Sequence, residues 1–177
     1  MLRSIATVSI SGTLPEKLHA IAAAGYQGVE IFENDLLYYT GTPADIRHLA
    51  ADLGLKITLF QPFRDFEGAS RAQFAANMER ARRKFALMHE LGCDTLTVDD
   101  PAHLAAVRAA RERTGGRAVV RVVLEADVSL RRGPLSIGPQ RSPLHAPDAV
   151  RRAAERVVAE PGIELVGLLT YEGHVAG

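Results

Sequence analysis

The sequence predicts an α/β fold, a parallel (βα) barrel of the TIM-barrel type with about six βα units. Short β-rich apolar runs alternate with helix-forming segments along nearly the whole chain, a pattern typical of parallel strands joined by right-handed crossovers. The chain has 177 residues, whereas a complete eight-unit barrel typically needs about 250. We therefore expect residues 1–177 to form a single barrel-like domain that is incomplete or chimeric.

The expected strands cover residues 5–10, 28–32, 56–60, 95–98, 118–124 and 163–169. An open, doubly wound sheet would suit the chain length better than a barrel. However, the segment after the first strand, Ser9-Ile10-Ser11-Gly12-Thr13, contains a single glycine, and a dinucleotide-binding sheet needs a Gly-rich turn at that point. The barrel type is therefore the preferred architecture.

Capping residues mark the helices between these strands. Thr42 followed by Pro43 opens one helix, Ser70 opens a long one, and Gly54 and Gly92 end them, as N-caps and left-handed C-terminal positions commonly do. The predicted helices cover residues 14–24, 43–53, 71–91, 101–113 and 147–159. Residues 127–146 lack periodicity, and such a stretch in a compact domain is usually functional or disordered.

The composition excludes several classes of function. Lys plus Arg and Asp plus Glu each number 21, so no basic surface for nucleic acid is expected. No apolar run reaches the roughly 18 residues of a membrane-spanning helix, and the N-terminal residues lack the features of a signal peptide. Cys93 is the single cysteine and is expected to be a small buried residue. These features predict a cytoplasmic location in a reducing compartment.

The third strand opens into a polar loop that we expect to bind a ligand. The segment runs Leu59-Phe60-Gln61-Pro62-Phe63-Arg64-Asp65-Phe66-Glu67-Gly68. In a parallel barrel the chemistry gathers where strands end. Gln61 and the always-charged fork of Arg64 are therefore candidate binding groups for an anionic or polyhydroxyl substrate. The alternative is that Arg64 pairs with Asp65 or Glu67 on the surface.

Glu30 is a second candidate, because it interrupts the apolar second strand. A carboxylate in a buried strand is costly unless it is paired or functional. We expect Glu30 to face the barrel interior and to contact substrate or metal. The alternative is a structural ion pair with Arg3 on the neighbouring strand.

Long motifs in the first half of the chain resemble the N-terminal half of bacterial 3-dehydroshikimate dehydratases, which belong to the sugar-phosphate isomerase/epimerase group of xylose-isomerase-like barrels. They are residues 3–18, Gly28-Val29-Glu30-Ile31-Phe32-Glu33-Asn34-Asp35 and Phe60-Gln61-Pro62-Phe63-Arg64-Asp65-Phe66-Glu67-Gly68. The resemblance implies a metal-dependent lyase in which Gln61 and Arg64 bind the substrate and Glu30 assists.

Residues 99–177 resemble a different group, the alanine-racemase-type and D-threonine-aldolase-like barrels. The motifs are Asp99-Asp100-Pro101-Ala102-His103-Leu104, Arg141-Ser142-Pro143-Leu144-His145 and residues 167–177. This predicts a seam between two families near residues 98–99, as in a fusion or a fragment. Those enzymes carry pyridoxal phosphate (PLP) on a lysine at the end of the first strand, where this chain has none. The sequence therefore argues against PLP.

The dehydratase resemblance implies a divalent metal, Mg²⁺, Mn²⁺ or Co²⁺. Glu125, at the end of the fifth strand, stands where the first metal ligand of the family would stand. Glu172 could supply a second oxygen ligand, and His174 could serve as a nitrogen ligand or contact the substrate. The alternative is that Glu125 is a loop-edge acid and that Glu172 and His174 are pocket residues without metal.

The leading hypothesis is a dehydratase-like lyase, or an isomerase or epimerase, acting on a small polyhydroxylated acid. The alternatives are a PLP-dependent racemase or aldolase relative and a catalytically inactive partial barrel. In an incomplete barrel the outer strands have open edges, and such edges invite pairing. The sequence therefore also predicts a homo-oligomer formed through open sheet edges.

Overall fold

The structure, a computed structural model, describes residues 2–62, 70–98, 104, 108–109, 112, 115, 119–138, 140 and 142–171. The chain divides into two compact units, residues 1–94 and residues 95–177. The predicted single domain with a family seam near residues 98–99 stays a prediction. No helix within the described part of the chain is long and apolar enough to span a membrane.

The first unit is built on a parallel three-stranded sheet. Its strands are β1 (Ser4–Ala6), β2 (Gly28–Phe32) and β3 (Lys56–Gln61), in the order β1-β2-β3. The helices of this unit are α1 (Leu14–Ala23), α2 (Glu33–Leu37), α3 (Pro43–Asp52) and α4 (Arg71–Leu91). Parallel neighbours with a helix in each connection confirm the predicted βα pattern.

Helix ends in this unit follow their sequence signals. Thr42 and Asp45 form a capping box at the start of α3, with the Thr42 N–H donating to the Asp45 carboxylate at 2.7 Å. Ser70 caps α4, and Gly92 ends it at a φ of 70°, a left-handed conformation that glycine adopts without steric cost. These contacts explain why the bounds of α3 and α4 could be predicted closely.

β1 ends earlier than the sequence indicates. The predicted strand covered residues 5–10, but a 3-10 turn occupies Thr7–Ser9. Thr7 is fully buried, and its hydroxyl accepts the backbone N–H of Phe32 at 3.0 Å. A side chain thereby replaces the strand partner of that N–H, and the ladder between β1 and β2 stops at Ala6 and Glu30.

Successive side chains of β2 and β3 alternate between an apolar face of the sheet and a face with both polar and apolar residues. Val29, Ile31 and Phe60 are at most 1% exposed, and the helices contribute the equally buried Leu18 and Ile46. Burial of such side chains is worth about 1.5–3 kcal/mol each and dominates the stability of the unit. Side chains at the alternate strand positions project from the opposite face of the sheet.

The second unit contains a second parallel sheet. Its strands are β4 (Thr95–Val98), β5 (Val120–Ala126) and β8 (Ile163–Thr170), in the order β4-β5-β8. Helix α5 (Pro147–Ala159) packs on this sheet. The core holds Val122, Leu124, Val157 and Ile163 together with Leu104, Leu144 and Ala153.

A short antiparallel hairpin lies between β5 and α5. Its strands are β6 (Leu130–Arg132) and β7 (Leu135–Ile137), and Leu130 pairs with Ile137. Gly133, at a φ of 60°, begins the turn. The segment 127–146 was predicted to lack regular structure. Three-residue strands are too short to show a period of two, so the sequence pattern could not indicate this hairpin.

Candidate active site

The ends of β2 and β3 lie side by side. Phe32, the last residue of β2, is in register with Gln61, the last residue of β3. The register shifts after Val29, and the Thr58 hydroxyl donates to the Val29 carbonyl oxygen at 3.0 Å. Such a bulge re-aims the side chains that follow it. Beyond the bulge, Glu30 is opposite Leu59.

Glu30 and Gln61 share one face of this sheet. Residues opposite each other in register project to the same side, so Glu30 and Phe32 of β2 lie on the face of Leu59 and Gln61 of β3. Glu30, Phe32 and Gln61 are half-buried. The structure thus places two of the candidate site residues on adjacent strands, with Gln61 at the carboxyl end of its strand.

Arg3 has partners other than Glu30. Its guanidinium donates to the Gly25 carbonyl oxygen at 3.2 Å and lies 5.9 Å from the centre of the Tyr26 ring. Neither of these contacts involves Glu30, which has at least one interaction of its own.

Lys84 of α4 reaches the carboxyl ends of β2 and β3. Its ammonium donates to the Glu33 carboxylate at 2.5 Å and to the Pro62 carbonyl oxygen at 2.7 Å. It also lies 5.4 Å from the centre of the Phe60 ring. Lys84 is only 3% exposed. A buried ammonium is tolerated when its protons have acceptors, and these contacts supply them.

Lys17 of α1 forms a second ion pair with the same short helix. Its ammonium lies 2.7 Å from Asp35 Oδ1, and Lys17 is 6% exposed. Asp35 Oδ2 is buried and accepts no hydrogen bond from the part of the chain that the structure describes. Two acids of helix α2 therefore pair with buried lysines: Asp35 with Lys17 of α1, and Glu33 with Lys84 of α4.

These two lysines are the residues that sequence reasoning missed. Lys17 and Lys84 lie within the predicted helices 14–24 and 71–91, and neither was predicted to belong to the site. A signal was present. Lys84 continues the buried stripe of Ala81, Met88 and Leu91 on α4, at the three- and four-residue spacing of one helix face. A lysine in such a stripe needs a carboxylate partner. Glu33, directly after β2, is that partner.

Two buried carboxylates lie where β5 ends. Glu125 is 6% exposed and pairs in register with Leu169 of β8. Asp127 accepts the Ser129 hydroxyl at 2.5 Å and Arg131 Nη2 at 2.6 Å. These hydrogen bonds, that from the Ser129 hydroxyl first, lower the pKa of Asp127 to about 2. Asp127 therefore stays charged and ties the hairpin to the end of β5.

Three of the other candidate residues, Arg64, Glu172 and His174, lie outside the described residues. Glu30 and Gln61 belong to the first unit and Glu125 to the second. Among the residues that the structure describes, no three His, Cys, Asp or Glu side chains form a group that could hold a metal ion. One predicted metal ligand, Glu125, is thus placed at a strand end.

The first comparison with known proteins is a family match. Residues 18–127 match the model of the xylose isomerase-like TIM barrel family. This match continues past residues 98–99 and gives no support to the resemblance of residues 99–177 to alanine-racemase-type barrels. The motifs behind that resemblance were short. Parallel barrels of different families all place polar residues at strand ends, so such motifs discriminate weakly between them.

Curated relatives match a little over half of the chain. Over 98 residues, or 55% of this chain, it is 70% identical to a 3-dehydroshikimate dehydratase of Pseudomonas aeruginosa and 68% identical to one of Pseudomonas putida. The chain spans only 16% and 15% of the length of these two relatives.

Solved structures of the same fold match nearly the whole chain. A xylose isomerase-like TIM barrel/4-hydroxyphenylpyruvate dioxygenase fusion protein superimposes with a TM-score of 0.62 at 43% identity, over 93% of this chain and 26% of that one. A probable 3-DHS dehydratase from Bacillus anthracis superimposes with a TM-score of 0.59 at 13% identity, over 94% of this chain and 62% of that one. With the family match spanning more than half of its residues, the chain belongs to the xylose isomerase-like TIM barrel family.

Proposed function

We propose that the chain carries part of a lyase site for a small polyhydroxylated acid, of the 3-dehydroshikimate dehydratase type. The observation that carries the proposal is the 70% identity over 98 residues to a protein of that name. In this reaction 3-dehydroshikimate loses one molecule of water and becomes protocatechuate. A related isomerase or epimerase activity would use the same kind of substrate.

The residues at the ends of β2 and β3 support substrate binding. Gln61 ends β3 on the same sheet face as Glu30, so an amide and a carboxylate project to the same side of the sheet. In the proposal Gln61 and Arg64 hold the substrate, with the Arg64 guanidinium taking its carboxylate. Glu30 accepts or delivers a proton on that face, as a catalytic acid or base does. His174 is a further proposed substrate contact.

The proposal includes a divalent metal, Mg²⁺, Mn²⁺ or Co²⁺, with Glu125 and Glu172 as ligands. Glu125 is buried at the end of β5, the position at which a parallel barrel collects its functional groups. Such an ion, when bound, would polarise the substrate ketone. Hard divalent ions take several oxygen ligands, and the described residues offer one of the proposed two.

Isothermal titration of Mn²⁺ into the metal-stripped chain, with and without 3-dehydroshikimate, tests this proposal. We expect Mn²⁺ binding that strengthens with the ligand and is lost in Glu125→Ala. Glu164→Ala is the matched control, because Glu164 lies near the other end of the same sheet and pairs with Arg121 at 3.4 Å. Equal binding by both variants would refute the metal site, and absence of any ligand binding would refute the lyase proposal.

A catalytically inactive partial barrel that self-associates is the second candidate. β1 and β3 are the outer strands of the first sheet, and β4 and β8 those of the second. The described residues contain six parallel strands in two sheets, fewer than the eight of a closed barrel, which favours a partial barrel. Outer strands invite pairing, so this candidate forms a homo-oligomer, and light scattering that shows a monomer would refute it. A cytoplasmic location stays a prediction from the composition.

A further inference from the structure

We propose that Lys84 is a positioning residue for the ligand site, because it fixes the carboxyl end of β3 against helix α2. Its role in ligand binding rests on the proposed function, whereas the anchoring of β3 does not. The contacts of Lys84 with Glu33 and Pro62 involve no side chain that is proposed to bind the substrate. It acts through Pro62, the neighbour of Gln61.

The contacts of Lys84 join three parts of the first unit. Glu33 begins α2 directly after β2, Pro62 follows β3, and Lys84 itself lies on α4. Residues 63–69, which include Arg64, connect Pro62 to the Ser70 cap of α4. Lys84 therefore ties α4 to the residue that directly follows β3.

Burial makes Lys84 specific for these two acceptors. Lys84 is 3% exposed, so water cannot readily replace the Pro62 carbonyl oxygen as its acceptor. A desolvated ammonium keeps strong preferences for a carboxylate and a carbonyl at fixed positions. The carbonyl oxygen of Pro62 is thereby held beside Glu33, and the orientation of the adjoining Gln61 side chain depends on that position.

Lys17 provides a comparison within the same unit. It is buried to a similar degree and also pairs with α2, but its partner is Asp35. Its hydrogen bond in the described part of the chain ties α1 to α2 and does not involve β3. Removing Lys17 should therefore weaken the fold without releasing the end of β3, while removing Lys84 should do both.

The test compares Lys84→Met with Lys17→Met in the 177-residue chain. The first readout is amide hydrogen exchange of the β3 end without ligand. Exchange there is compared with that of the core amides of β2 in the same variant, which report the overall loss of stability. On that scale we expect Lys84→Met to speed exchange at the β3 end on the order of tenfold, the loss of one anchoring hydrogen bond, and Lys17→Met to cause no such local excess. Lys84→Arg should restore part of the protection, because it keeps a charged donor. The same relative exchange in the two methionine variants would refute the anchor.

The second readout is the affinity for 3-dehydroshikimate by titration calorimetry. We expect about tenfold weaker binding in Lys84→Met and unchanged binding in folded Lys17→Met. Normal affinity in Lys84→Met would refute the positioning role. If the unmodified chain binds no 3-dehydroshikimate, the proposed function fails, and the exchange readout still decides the anchor.

If either methionine variant does not fold, the comparison is made between Glu33→Gln and Asp35→Asn instead. Each neutralises the acid partner of one lysine and keeps its shape and one acceptor oxygen. The same contrast is expected, with faster exchange at the β3 end and weaker ligand binding only in Glu33→Gln. Identical behaviour of these two variants would overturn the proposal.

Discussion

The Thr7 hydroxyl accepts the backbone N–H of Phe32 at 3.0 Å, and this side-chain contact ends the pairing of β1 with β2. Thr7→Val keeps the shape of the residue but leaves that N–H, in a part-buried position, without its acceptor. An unsatisfied buried donor costs about 1–3 kcal/mol, so we expect a loss of that size in the free energy of unfolding, measured in urea. Thr40→Val, at an exposed position, should change stability little. Equal losses in both would contradict this role of Thr7.

Lys17→Met should destabilise the chain far more than loss of a surface ion pair. It leaves the largely buried Asp35 carboxylate, with a side chain 15% exposed, without its cation, and breaking such a pair costs about 3–5 kcal/mol. The control is Glu155→Gln, since the Arg151–Glu155 pair at 2.6 Å is about 60% exposed on both sides and should be worth less than about 1 kcal/mol. Urea unfolding compares them, and similar losses would contradict the importance of burial.

Gln61→Ala should weaken binding of 3-dehydroshikimate about tenfold, the effect of losing one hydrogen bond to the ligand. Gln73→Ala is the matched control, since Gln73 is an exposed residue in the first turn of α4. Titration calorimetry measures both. Unchanged affinity in Gln61→Ala, with the unmodified chain binding the ligand, would remove Gln61 from the site.

Asp127 should make the hairpin sensitive to acid. Its pKa falls from an ordinary 3.8 to about 2 in the folded chain, so its carboxylate stabilises the folded state above pH 3.8. That contribution is lost as the pH falls from 3.8 through 2. Chemical shifts of Ser129 and Arg131 should follow this titration by NMR.

In Asp127→Asn this step should disappear from the hairpin signals. Other acid-induced changes should persist, because hydrogen bonds from the Thr13 backbone lower the pKa of Glu16 and those from the Thr42 backbone lower the pKa of Asp45. A hairpin titration that is the same in Asp127→Asn would assign it to another group.

Local signals in the sequence predicted most of the helices and strands. The Thr42–Asp45 capping box, the Ser70 cap and the left-handed Gly92 depend on neighbours within a few residues. The bounds of β2 and β4 agree with the prediction for the same reason, because apolar β-rich runs end at polar residues. β1 was predicted too long, because its end depends on a contact between Thr7 and Phe32, 25 residues apart.

The candidate site was predictable in part. Gln61 was predicted from its position at a strand end, Glu30 because it interrupts an apolar strand, and Glu125 from the resemblance to dehydratases. The structure puts Gln61 at the end of β3 and Glu30 on the same face of the sheet. The helix-face spacing of Lys84 with the buried Ala81, Met88 and Leu91 was a sequence signal for its burial. The acceptors of its ammonium, Glu33 and Pro62, are 51 and 22 residues away along the chain, and only packing shows that they meet it.

The sequence by itself determined the alternation of strands and helices, the family and the residues that follow each strand. These depend on periodicity, caps and motifs, which act over short distances along the chain. Only the tertiary structure decided the register that sets Phe32 beside Gln61, the hairpin tied to Asp127 and the burial of Lys17 and Lys84. These features depend on packing between residues that are distant along the chain. Such packing removes water from charged groups, so that each charged group needs a partner in the protein.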